Sequence, residues 1–171
     1  ADRQHVAERA ALGIPPTPLS PAQVAELIEL LKSPPEGESG FLLELITERV
    51  PPGADEAAYV KAGFLSAIAK GESECAVIDR ITAIQLLGDM HGGYNIGTLI
   101  TLIDDDELGE YAASQLKQTL LVFDAFHDVV ELASKGSNNA QSVLQSWADG
   151  EWFTKRATVP ESLKMVVFKV T

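Results

Sequence analysis

The chain has 171 residues, 46% of them hydrophobic and 6% aromatic, with a formal net charge of −12. That hydrophobic content excludes a disordered chain, and no apolar run approaches the roughly 20 residues of a membrane-spanning helix. The acidity argues against a direct grip on nucleic acid, whose phosphates need Lys and Arg, and the single Cys75 excludes an internal disulfide and fits a reducing cytoplasm.

The residues through Leu12 predict a short charged helix that Gly13 ends. Ile14-Pro15-Pro16-Thr17-Pro18 then reads as a stiff extended connector. Ser20-Pro21-Ala22-Gln23 is a strong helix start, with Ser as cap, Pro in the first turn and Gln able to return a bond to the cap. Val24, Leu27, Ile28 and Leu31 follow on one apolar face, and Pro34-Pro35 stops the helix. A helix over about Ser39–Arg49 turns Leu42, Leu45 and Ile46 inward, and Pro51-Pro52-Gly53 breaks it.

Asp55 is the expected cap of the next helix, whose predicted inward stripe is Val60, Phe64, Ala67 and Ile68 before Gly71. Asp79 caps another, with Ile81, Ile84 and Leu87 inward. Gly92-Gly93 is a tight turn, after which Ile96, Leu99, Ile100 and Ile103 share a face. The acidic run Asp104–Glu107 sits where a helix dipole favours it. The region 107–135 is helical in pattern but long for one helix of a compact domain, so a break is expected around Gln118–Leu121. Gly136 ends that region, and Asn138 or Asn139 is the expected cap of a last helix with Ala140, Val143, Leu144 and Trp147 inward.

After Pro160 the run Leu163–Val170 is rich in β-branched residues and reads as a strand. No partner strand precedes it, so the expectation is that the chain stops just inside the next domain of a longer protein. The segment 151–171 is also the basic part, with Lys155, Arg156, Lys164 and Lys169 against Glu151 and Glu161. The expected fold is all-α. Pair starts near Pro21, Asp55, Tyr94 and Leu120 are spaced by 34, 39 and 26 residues, an irregular helical-repeat spacing that a non-repetitive bundle could also show.

Few constellations suggest chemistry. In Asp89-Met90-His91-Gly92-Gly93-Tyr94-Asn95 the glycines could bring backbone amides to an anion. The competing reading is a sharp turn between packed helices, favoured by the lack of nearby Lys or Arg in sequence. Asp124, His127 and Asp128 cluster on one helix, where a solvated face competes with a metal site. Asp104–Glu107 lacks the spacing of a calcium loop. Cys75 lies among Glu72, Ser73 and Glu74, which do not activate a thiol. Trp147, Trp152 and Phe153 form an aromatic-dense stretch that is either an interaction patch or the seal of a domain joint. No nucleophile–base pattern, Walker loop or dinucleotide fingerprint is present.

Seven blocks carry a resemblance to a known family. They are His5–Ala11, Leu30–Pro35, Arg49–Gly53 with the helix to Gly71, Gly92–Ile96, Gln145–Asp149, Glu151–Phe153 and Val167–Thr171. In order and spacing they resemble the N-terminal helical domain of the bacterial aconitase B family, large iron–sulfur aconitate hydratases. The least similar stretch is Glu72–Ile81, a surface linker of the kind that drifts.

The resemblance implies a HEAT-like domain of stacked helix pairs over 1–158 and the linker and first strand of a swivelling domain over 159–171. It implies a parent enzyme, a lyase of the tricarboxylic acid cycle, that interconverts citrate and isocitrate through cis-aconitate. Hydration of 2-methyl-cis-aconitate is expected beside it. A [4Fe–4S] cluster on three cysteines would do that chemistry. None of the family's ligands or substrate-binding residues matches a position here, so no catalytic, cofactor-binding or metal residue is assigned to this chain.

For the domain itself the family implies contacts with the remaining domains of the same polypeptide, self-association or other protein contacts, and a share in framing the substrate's route. RNA binding, linked to the family, is disfavoured for this segment alone by its charge. A free-standing helical-repeat adaptor and an RNA-binding regulatory module are the alternative readings.

Overall fold

Local signals start several of the helices. In a computed structural model, which describes residues 2–119 and 123–150, the element order is α1 (Asp2–Ala11), α2 (Pro21–Lys32), α3 (Ser39–Glu48), α4 (Glu56–Ala69), α5 (Arg80–Gly88), α6 (Ile96–Thr101), α7 (Gly109–Gln118), α8 (Phe123–Ser134) and α9 (Asn138–Ala148). Ser20 and Gln23 form a reciprocal capping box, with Pro21 in the first turn. Asp55 and Asp79 cap α4 and α5 by accepting from the amides of Ala57 and Thr82. The break in the 107–135 region falls where α7 stops at Gln118, with Thr119 extended. The all-α expectation holds for the described residues. The Leu163–Val170 strand, the 158/159 boundary, Trp152 and Phe153 lie outside them.

Consecutive helices pack as pairs: α2 on α3, α4 on α5, α6 on α7 and α8 on α9. The pairs then stack in two layers. Helices α2 and α4 touch in one layer, as do α6 and α8, while α5, α7 and α9 touch in sequence in the other. Between α4 and α6 the hydroxyls of Ser66 and Thr98 are 2.7 Å apart. Ile46, Leu65, Ile84, Leu87, Leu99, Leu116 and Val129 are wholly buried between the layers, and this burial rather than helix propensity holds such short helices.

Three expectations need correction. The buried face of α4 is wider than the predicted stripe: Ala57, Ala58, Lys61, Ala62, Leu65 and Ala69 join Phe64 and Ile68, while Val60 and Ala67 are only half-buried. Small residues let neighbouring helices approach on several sides at once, so no narrow stripe exists. The cap of α9 is Ser137, whose hydroxyl accepts from Ala140 N–H, whereas Asn139 sits inside the helix and donates to Ile103 O. Helix α6 is only six residues long, and Ile103 is buried from the turn that follows it.

Candidate functional site

The turn His91–Asn95 joins the end of α5 to α6, and its glycines answer a steric demand. Gly92 and Gly93 have φ of 101° and 94°, in the left-handed region that side chains disfavour. A Cβ on Gly92 would lie 2.4 Å from the carbonyl of Gly53, so the backbone of this turn rests directly on the Pro-Pro-Gly loop before α4. Tyr94 strengthens the contact. Its hydroxyl donates to Ala54 O at 3.2 Å, and its ring meets Tyr59 edge-on at 5.3 Å. Asn95 is 1% exposed, and its side-chain amide donates to Leu87 O at 2.6 Å and Met90 O at 3.3 Å, tying down carbonyls at the end of α5. These residues seat one loop on another, and His91 is exposed at the rim.

The structure places one cation where the linear sequence showed none. Lys61 of α4 is 7% exposed and lines a crevice of about 90 Å³ with Thr47, Pro51, Asp89 and His91. Its ammonium donates to Thr47 O at 3.3 Å. Burial pushes its pKa below the ordinary lysine value, and the charges of Glu48 and Asp89 oppose that shift. The signal in the sequence was its spacing: Ala57, Lys61, Leu65 and Ile68 recur at i, i+4, i+8, i+11, so Lys61 interrupts an inward face. One ammonium beside two carboxylates makes no concentrated anion site, and the Thr47 hydroxyl in the lining is committed to Leu43 O.

The other candidates are not brought together. Trp147 is 5% exposed, and its indole donates to Leu116 O at 3.0 Å, fastening α9 to α7. His127 and Asp128 are exposed on α8 and the His127 ring meets Phe126 edge-on, while the Asp124 side chain lies outside what the structure describes. In the acidic run, Asp104 accepts from the Ser137 hydroxyl. Asp105 accepts from the amides of Leu108 and Glu107, which hold its carboxyl below the usual range. These carboxylates order the turn before α7.

A [4Fe–4S] cluster requires three thiolates, and this chain does not fit one. Its single Cys75 is half-buried, with Sγ donating to Leu31 O at 3.2 Å. Among the described residues no group of three or more His, Cys, Asp or Glu side chains could hold a metal ion, and no helix is long and apolar enough to cross a membrane.

Comparison with known proteins identifies a family. The family model described as the aconitate B N-terminal domain matches residues 1–153. The chain is 65% identical over 170 residues to aconitate hydratase B of Pseudomonas aeruginosa, covering 99% of this chain and 20% of that protein. It is 59% identical over 169 residues to aconitate hydratase B of Escherichia coli, again covering 99% and 20%. The aconitate hydratase B of Helicobacter pylori is 40% identical over 170 residues, covering 98% and 20%. The chain thus spans about a fifth of the length of the curated relatives it matches.

Proposed function

We propose that this chain, which belongs to the aconitate B N-terminal domain family, is the interaction and framing domain of an aconitate hydratase. The observation that carries the reading is the match of the family over residues 1–153, with a helical stack in which no group of three or more His, Cys, Asp or Glu could hold a metal ion among the described residues. The parent lyase would interconvert citrate and isocitrate through cis-aconitate in the cytoplasm, and would act on 2-methyl-cis-aconitate. The [4Fe–4S] cluster it uses would be held by residues outside this segment, since one cysteine cannot supply three ligands. The role left to this domain is contact: with the remaining domains of the same polypeptide, with a second copy or with other proteins. Two-layered stacks of helix pairs suit that role because they offer extended faces on a rigid frame. The charge of −12 weighs against RNA as a partner of this domain alone.

Two measurements test the reading. The purified chain should show no cis-aconitate hydration, even after reconstitution with iron and sulfide, and turnover by the chain alone would refute the assignment. Sedimentation of the chain mixed with the rest of the parent polypeptide should show a complex, and separate migration of the two at micromolar concentration would remove the framing role.

A further inference from the structure

Helix α1 contributes no buried residue, unlike each of the other helices. Its half-buried positions are Asp2, His5, Val6 and Arg9, spaced i, i+3, i+4, i+7, so this is the face turned to the body. Only Val6 among them is apolar. The attachments of α1 are accordingly polar. Both oxygens of Asp2 accept from Arg49, at 3.0 and 3.3 Å. Arg49 also donates to Thr17 O at 2.8 Å, in the connector behind α1. His5 Nε2 accepts the Thr17 amide at 3.2 Å and lies 2.8 Å from its hydroxyl. Arg3 bonds Glu38 at 2.6 Å and sits 4.4 Å over the Phe41 ring.

Beneath these ties lies a groove of about 470 Å³, lined by Leu27, Phe41, Leu42 and Leu45 of α2 and α3 together with Asp2 and His5 of α1. The connector from Gly13 to Pro18 has no helix, and Gly13 adopts φ of 69°. Leu19 ends it firmly, at 6% exposure and with its amide donating to Arg49 O at 2.7 Å. A ten-residue helix has little stability of its own, and ion pairs at a partly wet interface weaken with salt.

We propose that residues 2–18 form a reversible strap, clasped to the α2–α3 pair by Asp2 and Arg49, that swings out about Leu19 and uncovers the groove while α2–α9 stay folded. Opening exposes the Arg49 guanidinium to water, where it finds new partners, so the open state leaves no buried charge stranded. Asp2 and Arg3 set the clasp on the body, through Arg49 and through Glu38 and Phe41, while His5 ties α1 to Thr17 within the strap. The strap is independent of the enzymatic assignment of the parent protein.

Hydrogen exchange read by mass spectrometry on the full chain tests this. Amides of α1 should exchange faster than those of α4 and α5, and their rate should rise with sodium chloride. Asp2→Asn should speed exchange across α1 about two- to threefold, as expected for loss of one partly exposed ion pair, with α4 and α5 unchanged. The salt titration needs no variant and keeps the proposal testable if Asp2→Asn folds poorly. Exchange in α1 that ignores both salt and Asp2→Asn would overturn the strap. Exchange rising equally in α1, α4 and α5 would overturn it too, because α1 would then open only with the whole domain.

Discussion

Helices α1 and α4 differ in what holds them. Eight residues of α4 are buried, against none in α1. Removing a side chain such as Leu65 from water is worth about 1.5–3 kcal/mol, whereas an ion pair at a partly exposed site is worth about 0–1 kcal/mol. The centre of the stack therefore sets whether the domain is folded, and the clasp sets only whether its first helix is docked. Arg49 belongs to both worlds: its side chain is mostly covered, yet its partners lie on the part that can leave.

Substitutions can break or sharpen that contrast. Leu65→Ala should have the largest effect, about 3 kcal/mol lost in urea unfolding, because the cavity forms at a wholly buried site. A loss below about 1 kcal/mol would mean that the centre is loosely packed. Gly92→Ala should cost about 2–3 kcal/mol, since it meets both a left-handed φ and the Gly53 backbone. Trp147→Phe should cost about 1 kcal/mol by removing the indole bond to Leu116 O, which keeps the Thr119 amide as donor. Lys61→Met should raise stability by about 1 kcal/mol by removing a poorly compensated buried charge.

Lys61 also carries a pH signature. In the folded chain its protonated form is the penalised one, so its pKa falls below 10.5. Stability should be lowest below that depressed value and rise as pH climbs from it toward 10.5, where the unfolded chain also loses the proton. The rise should be absent from Lys61→Met and so remain in the difference between the unmodified chain and that variant, measured by urea midpoints across alkaline pH. At the other end of the scale, Asp2→Asn should move the global midpoint by about 0.5 kcal/mol or less. A larger shift would join α1 to the cooperative unit and erase the contrast with α4.

Several helix starts were legible in the sequence because a cap and its target lie within three residues. Ser20 with Gln23, Asp55 and Asp79 are of this kind, because the interaction is local. The inward faces of α2 and α3 were legible for the same reason: Leu and Ile at helical spacing leave one choice of side. Ser137, Asn138 and Asn139 all suit a cap, and the choice between them fell to a distant carbonyl, Ile103 O, which draws Asn139 into the helix. Alanines carry too little contrast to mark the breadth of the α4 face. The seat of Gly92 on Gly53 joins positions 39 residues apart, and the bond from Arg49 to Asp2 joins positions 47 apart. Such pairings leave no trace in a local pattern. The family resemblance, by contrast, rests on ordered blocks and needs no contact to be seen.

The contact between Gly53 and Gly92 has a mechanical consequence. The chain runs into the α4–α5 pair beside Gly53 and leaves it beside Gly92, and those two points touch. Tyr94 adds a stitch to Ala54 at the same place. Tension drawn along the chain crosses from one strand of backbone to the other through this buckle before it loads either helix. The most deeply packed pair of the stack is thereby shielded from pulling until the buckle shears, and the outer helices yield first.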